Sequence, residues 1–216
     1  MLEKMDAFFE ARLEGYDDHM LQNIEGAAEF YPFTAAQLPI KEKTEVLDLG
    51  CGTGLELEFY FRCNPTAIIT GIDISQGMLS ALRQKFPERK MELIAGSYFD
   101  IPLEEERFDA AVSVESLHHF TQAEKIPLYA KVLRSLKPGG YLILTDYLCQ
   151  TEEQERFFRQ ELSRIKAEEG ITDGAFYHYD TPLTVPHEME AMRAAGFHKV
   201  DVLRNWGATY TIKAWK

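Results

Sequence analysis

Five short runs constrain this chain more than anything else in it: EVLDLG (45–50), AIITGIDI (67–74), MELIAG (91–96), FDAAVSV (108–114) and GYLILTDYL (140–148). They are nearly continuous in apolar residues and several are rich in β-branched ones, so they read as strands buried on both faces, the mark of a parallel sheet. Helix candidates stand between them at Leu55 to Cys63, Ser75 to Phe86 and Thr121 to Lys137. Ser75 is placed to cap the second of these. Thr121 and Glu124 have capping-box spacing at the start of the third, in which Pro127 is expected to kink or restart the helix. Strand, helix and strand in repeated order, with right-handed crossovers, give a doubly wound α/β fold.

Composition narrows what such a sheet can serve. The chain has 216 residues, 45% of them hydrophobic, enough for one large core and one domain with elaborations. Its formal charge of −12 repels a polyanion, and no stretch concentrates lysine and arginine, so nucleic acid is not expected as a partner. The N-terminal MLEKMDAFFEARLEG lacks an apolar core with a cleavage site, and no apolar run approaches the roughly 20 residues that span a bilayer. A cytoplasmic protein without membrane attachment is expected. Cys51, Cys63 and Cys149 are odd in number and share no metal-ligand spacing, which fits reduced thiols and predicts neither disulfide nor metal.

The segment VLDLGCGTG (46–54) ends a buried strand in three glycines within five residues. In open α/β sheets ligands meet the chain at the carboxyl ends of the strands. Gly50, Gly52 and Gly54 allow positive φ there and leave no Cβ in the way of a ligand touching the main chain; a tight strand-to-helix turn needs the same residues without any ligand. Asp73 ends the second strand 19 residues after Gly54, where a carboxylate can accept both hydroxyls of a ribose. It can also cap the helix that begins near Ser75. The loop spacing is GxGxG, not the GxGxxG of a dinucleotide site, which disfavours a nicotinamide dehydrogenase.

VLDLGCGTG, GIDIS, FDAAVSVESLHHF and VLRSLKPGGYLILTD, in that order over residues 44–148, resemble the class I S-adenosylmethionine-dependent methyltransferases. The resemblance implies a Rossmann-like, doubly wound sheet of seven mostly parallel strands, closed by an antiparallel C-terminal hairpin. It implies S-adenosylmethionine as cofactor. By the same resemblance Gly50, Cys51, Gly52 and Gly54 approach its methionine moiety, Asp73 and Ile74 meet the ribose, and Asp48 orients the loop or reaches the amino end through water. The backbone at Val114 and Glu115 faces that same end. Many members carry an acidic residue after the third strand to hold the adenine; Ser97 stands there here, so Ser97 and the Tyr98 N–H are the adenine contacts, with Asp100 as a second candidate or a turn cap before Pro102.

The remaining third reads as an amphipathic helix in VPHEMEAMRAAGF, closed by Gly196, and two strands in HKVDVLRNW and ATYTIKAWK with a turn at Asn205 to Gly207. The whole chain, 1–216, is then one domain, in which N-terminal helices (about 1–40) and an insertion (about 150–185) form a lid. Tyr16 is a candidate to close over the cofactor, and His178, between Tyr177 and Tyr179, to line the lid. Methyl transfer is an in-line displacement that needs positioning in a dry pocket more than a nucleophilic residue. His119 and Tyr147, at the ligand-bearing edge, are the substrate-facing candidates, with His118 beside them; no catalytic residue is assigned. The expected partner is a small-molecule acceptor and the expected state a monomer or homodimer. The alternative is a protein that binds the cofactor without transferring methyl.

Overall fold

The computed structural model describes residues 1–216. Its strands are β1 (Glu45–Leu49), β2 (Ile68–Asp73), β3 (Met91–Ala95), β4 (Phe108–Val114), β5 (Leu136–Tyr147), β6 (Lys199–Trp206) and β7 (Thr209–Trp215). They form one seven-stranded sheet in the order β3-β2-β1-β4-β5-β7-β6. Pairing is parallel from β3 through β5, while β7 runs antiparallel to both β5 and β6. The expected α/β sheet with its antiparallel hairpin is the one observed.

The apolar runs form central strands because both faces of the sheet are covered. Successive side chains of a strand point to opposite faces. Accordingly Leu47, Leu49, Ala111, Leu142 and Leu144 join one buried cluster, and their sequence neighbours Val46, Ala110, Val112 and Ile143 join the other. The first cluster is closed by α6 (Gln122–Ser135) and α8 (Val185–Ala194), through Leu128, Tyr129, Val132, Ala191 and Met192. The second is closed by α3 (Ala27–Ala36), α4 (Leu55–Cys63) and α5 (Gln76–Lys85), through Phe30, Leu57, Tyr60, Leu79 and Leu82. Two shorter helices, α1 (Met5–Ala11) and α2 (Tyr16–Asn23), precede these, and α7 (Glu152–Glu168) follows β5. No helix is long and apolar enough to cross a membrane.

Three details differ from the sequence reading. Helix α6 runs through Pro127 without a break, because the ring deprives only the Ala123 carbonyl of its partner while Leu128, Tyr129 and Val132 are anchored in the core. Strand β5 starts at Leu136, not Gly140: Leu136 pairs with Phe108 and Tyr141 with Ala110, so the intervening KPGG bulges out of a continuous strand. The hairpin turn is Gly207-Ala208, with Gly207 at φ +55°. Elsewhere the local signals hold: Ser75 Oγ accepts the Met78 N–H at 3.1 Å, and the Glu124 carboxylate accepts the Thr121 N–H at 2.7 Å.

Helices α6 and α8 are joined by a fully buried ion pair. Lys125 Nζ lies 2.5 Å from Glu188 Oε2, both side chains are inaccessible to solvent, and the Tyr129 hydroxyl donates to the other oxygen of Glu188. Losing one partner of such a pair strands the other charge. Lys125→Met is therefore expected to cost about 3–5 kcal/mol in urea denaturation, whereas Lys125→Met combined with Glu188→Gln, which still accepts from Tyr129, should regain most of that loss.

Candidate active site

From β1 the chain proceeds outward to β2 and β3, then returns to the other side of β1 for β4 and β5. The loops leaving the carboxyl ends of β1 and β4 thus diverge and open a crevice, the general position of ligands in such sheets. The loop after β1 has Gly50, Gly52 and Gly54 at φ +71°, +48° and +74°, all in the left-handed region. Their reasons differ. A Cβ on Gly50 would lie 2.0 Å from Ser116 Oγ and one on Gly54 2.5 Å from Leu82 Cδ1, but one on Gly52 would meet nothing within 4 Å. Packing demands the outer two glycines, and the middle one borders open space.

Asp73 holds this loop in place. One carboxylate oxygen accepts the Gly52 N–H at 2.8 Å and the other the Ser75 N–H at 2.9 Å, so the side chain spans the loop after β1 and the start of α5. Burial pushes its carboxyl above the ordinary range, partly offset by the N–H groups of Ser75, Gly52 and Ile74. The cavity beside it is lined by the predicted Tyr16, Gly50, Gly52, Asp73, Ile74, Ser97, Tyr98, Glu115 and His119. Met5, Phe9 and Phe176 also line it, and their sequence contexts carry no motif.

Four residues expected near the cofactor are not on that wall. Gly54 packs on Leu82, and the Cys51 sulfur fills the space where Gly71 lacks a Cβ. Asp48 is buried, with Oδ2 unpartnered, and pairs with the carboxyl of Glu56. Burial first, and for Asp48 also the charge of Glu56, raises both carboxyls above the ordinary range. Asp100 is exposed and away from the cavity. Ser97 Oγ accepts the Phe99 N–H at 3.2 Å, and the Tyr98 hydroxyl lies 3.3 Å from the Ser116 carbonyl.

A second chamber adjoins the first, with Phe9, Tyr16, Glu115 and His119 shared between them. Its other polar walls include His118, Tyr147, His178 and Asp180. Asp146, next to last in β5, organises this side: its oxygens accept the Leu117 N–H at 2.9 Å and the Tyr147 N–H at 3.0 Å, and one lies 2.6 Å from His118 Nδ1. His118 Nε2 is 3.6 Å and His119 Nδ1 3.2 Å from Asp180 Oδ1. Burial alone would lower the His118 pKa, but Asp146, Asp180 and Glu115 outweigh it and push it up to about 9. Burial and the neighbouring His118 hold His119 below its ordinary value, and His178 is held at about 4 by burial and His119. Although burial opposes it, the three imidazoles keep Asp180 well below the usual carboxylate range. Glu115, at φ +48°, is raised to about 8 by burial and Asp146, with His118 and a hydrogen bond from Thr209 in opposition.

The N-terminal segment and residues 176–178 cover the crevice and pair with each other. The Met5 N–H donates to the Phe176 carbonyl and the His178 N–H to the Glu3 carbonyl, each at 3.0 Å, while the Phe8 and His178 rings stack at 3.4 Å. Glu10 accepts from Ser75 Oγ at 2.8 Å and from the Gly77 N–H at 3.1 Å, which fastens α1 over the start of α5. Asp17 of α2 accepts from Thr53 Oγ1 and from Lys85 Nζ, both at 2.5 Å, fastening the glycine loop from above.

Residues 47–144 match a family model described as a methyltransferase domain. Among curated proteins, the chain is 32% identical over 118 residues to a fatty-acid O-methyltransferase of Mycolicibacterium smegmatis, covering 55% of this chain and 42% of that one. It is 27% identical over 189 residues to the biotin biosynthesis bifunctional protein of Teredinibacter turnerae, covering 75% and 33%. The chain thus spans less than half the length of these relatives. In fold it is similar to human N-acetylserotonin methyltransferase in complex with S-adenosylmethionine, with a TM-score of 0.63 at 20% identity over 97% of this chain and 55% of that one. It is likewise similar to a cyclopropane synthase of Mycobacterium tuberculosis, with a TM-score of 0.63 at 18% identity over 82% and 63%. The family match spans the glycine loop, Asp73 and the turn that carries His118 and His119, so over residues 47–144 the chain is similar to a methyltransferase domain.

Proposed function

We propose that this chain transfers the methyl group of S-adenosylmethionine to a small-molecule acceptor, and that it does so in the cytoplasm as one domain, 1–216, with the N-terminal helices and residues around 170–184 as lid. The observation that carries the reading is a pair of adjoining chambers at the switch point of the sheet, one bordered by Gly52 and Asp73 and the other by His119 and Tyr147, with Glu115 and Tyr16 between them. The first chamber suits the cofactor: it offers open space beside Gly52, a carboxylate whose oxygens have further lone pairs, and an acidic lining for a cationic ligand. When bound, S-adenosylmethionine supplies an electrophilic methyl on a sulfonium.

The protein's part is to position and to exclude water. Asp73 would accept from ribose hydroxyls while it holds Gly52, and Ser97 and Tyr98 would border the adenine. Phe9, Tyr16 and Phe176 shield the chamber from solvent, and Tyr16 closes it from the lid. His119 and Tyr147 face the acceptor side. The net charge of −12 favours a small acceptor over nucleic acid.

Purified protein given methyl-labelled S-adenosylmethionine and a small-molecule cell extract should pass label to an extract component and leave S-adenosylhomocysteine. Tight binding of the cofactor with no label transferred from any extract would mean a binding protein instead. Two substitutions test the placement. Asp73→Ala should weaken S-adenosylhomocysteine in calorimetry by about 1.5–3 kcal/mol, or about 10- to 150-fold, with Asp73→Asn in between, while the loss of its cap to α5 costs the free protein roughly 0.5–2 kcal/mol. Unchanged affinity in both would remove Asp73 from the site. Gly52→Asn, a residue tolerant of positive φ, should stay folded and lose binding at least about tenfold, whereas Gly54→Ala, driven into Leu82, should melt earlier even without ligand.

A further inference from the structure

We infer that His118, His119 and Asp180 form a binding site for one divalent first-row transition ion in the wall of the acceptor chamber. The donor atoms are His118 Nε2, His119 Nδ1 and an Asp180 carboxylate oxygen, which lie within 4.8 Å of one another. Asp180 Oδ1 is 3.6 Å from the first and 3.2 Å from the second. For an ion bound at about 2.0–2.1 Å, ligand atoms sit roughly 2.9 Å apart in octahedral and 3.4 Å apart in tetrahedral arrangement, so both separations from Asp180 are near the required spacing and the two imidazole nitrogens, within 4.8 Å, need only rotate toward the ion. Two imidazoles and one carboxylate suit zinc, iron, cobalt or nickel, and not magnesium or calcium, which prefer oxygen throughout.

The surroundings are those of a ligand site as well. The other nitrogen of His118 is held at 2.6 Å by Asp146, which is wholly buried and fixed by the Leu117 and Tyr147 N–H groups. A carboxylate behind a ligating histidine sets its tautomer and aims its free nitrogen. Asp146 behind His118 and Asp180 before both imidazoles bring carboxylate charge that a cation would compensate. The Thr181 N–H donates to the His118 carbonyl at 2.8 Å, which fastens the lid segment that delivers Asp180. Three protein ligands leave positions open, and the donors border the chamber that also holds Glu115 and Tyr147. A ligand oxygen of the acceptor, from a hydroxyl or carboxylate, would occupy one of them. That use of the ion rests on the methyltransferase reading; its binding does not.

The test is titration of chelator-treated protein with Co²⁺, followed by its visible d–d absorption. One equivalent should saturate, with bands of a four- or five-coordinate ion that Zn²⁺ displaces. Asp146→Asn should weaken the affinity about 10- to 100-fold, and Asp180→Ala and His119→Ala by more than that. His198→Ala, at an exposed position far in sequence from the cluster, should titrate like wild type. Circular dichroism and S-adenosylhomocysteine calorimetry on each variant separate loss of the ion site from loss of the fold or of the cofactor chamber. Absence of a saturable cobalt spectrum in folded protein that binds S-adenosylhomocysteine would overturn the inference, as would an unchanged spectrum in folded Asp180→Ala. A normal cobalt spectrum in protein that does not bind S-adenosylhomocysteine would leave the ion site standing and count against the methyltransferase reading alone.

Discussion

The carboxylate of Asp73 is the constraint from which the crevice is built. It accepts one N–H from the loop after β1 and one from the start of α5, so two neighbouring strand ends are tied by one side chain. The loop can present its Gly52 N–H there only by curling through three left-handed residues. Side chains at Gly50 and Gly54 would strike Ser116 and Leu82, so the curl is packed from both sides and leaves a single direction open, at Gly52. The same carboxylate therefore shapes the loop and borders the cavity it creates.

Asp146 does the equivalent work across the switch point. It too stands at a strand end, is buried, and accepts two backbone N–H groups, those of Leu117 and Tyr147. These bonds seat the turn that carries His118 and His119, and the bond to His118 Nδ1 aims that ring toward Asp180. The two halves of the sheet thus each contribute a rigid carboxylate with polar groups arranged around it. Glu115, forced to φ +48° between them, belongs to both chambers. Polar groups held on strand ends are positioned more sharply than loops alone allow.

The extent to which this was legible in the sequence follows from range. Strands β1 to β4, the Ser75 cap and the loop glycines are specified by residues within a turn or two of each other, and they stand where the pattern puts them, within a residue or two. Asp73 was legible because a carboxylate at the end of a strand is a local fact. Asp48 lies behind the loop and off the cavity wall, and its neighbour Glu56 comes from the next helix, a proximity that spacing in the sequence does not announce. Asp180 lies 60 or more residues from the histidines it meets, in a segment without regular structure, and Phe176 and Met5 reach the cavity only because the two cover segments pair with each other. Pro127 signalled a break that core packing overrode.

Electrostatics joins these parts. Asp48 and Glu56 behind the loop, Asp73 and Glu115 on the first chamber, Asp180 on the second and Asp146 behind it place acidic groups along one path through the site. Removing a carboxylate from water costs free energy unless it is neutralised, paired or hydrogen-bonded. Backbone N–H groups serve Asp73, the histidines serve Asp146 and Asp180, and the adjacent carboxyls of Asp48 and Glu56 are both raised by burial. Glu115 has the Thr209 hydroxyl as its hydrogen-bond donor, and burial and Asp146 raise it to about 8. It sits where the two chambers meet, so a carboxyl that burial disfavours as an anion lies at the boundary between the proposed cofactor and acceptor. A positively charged guest at that boundary would return to Glu115 the stabilisation that burial removes, and this is the position the resemblance gives to the amino end of the cofactor.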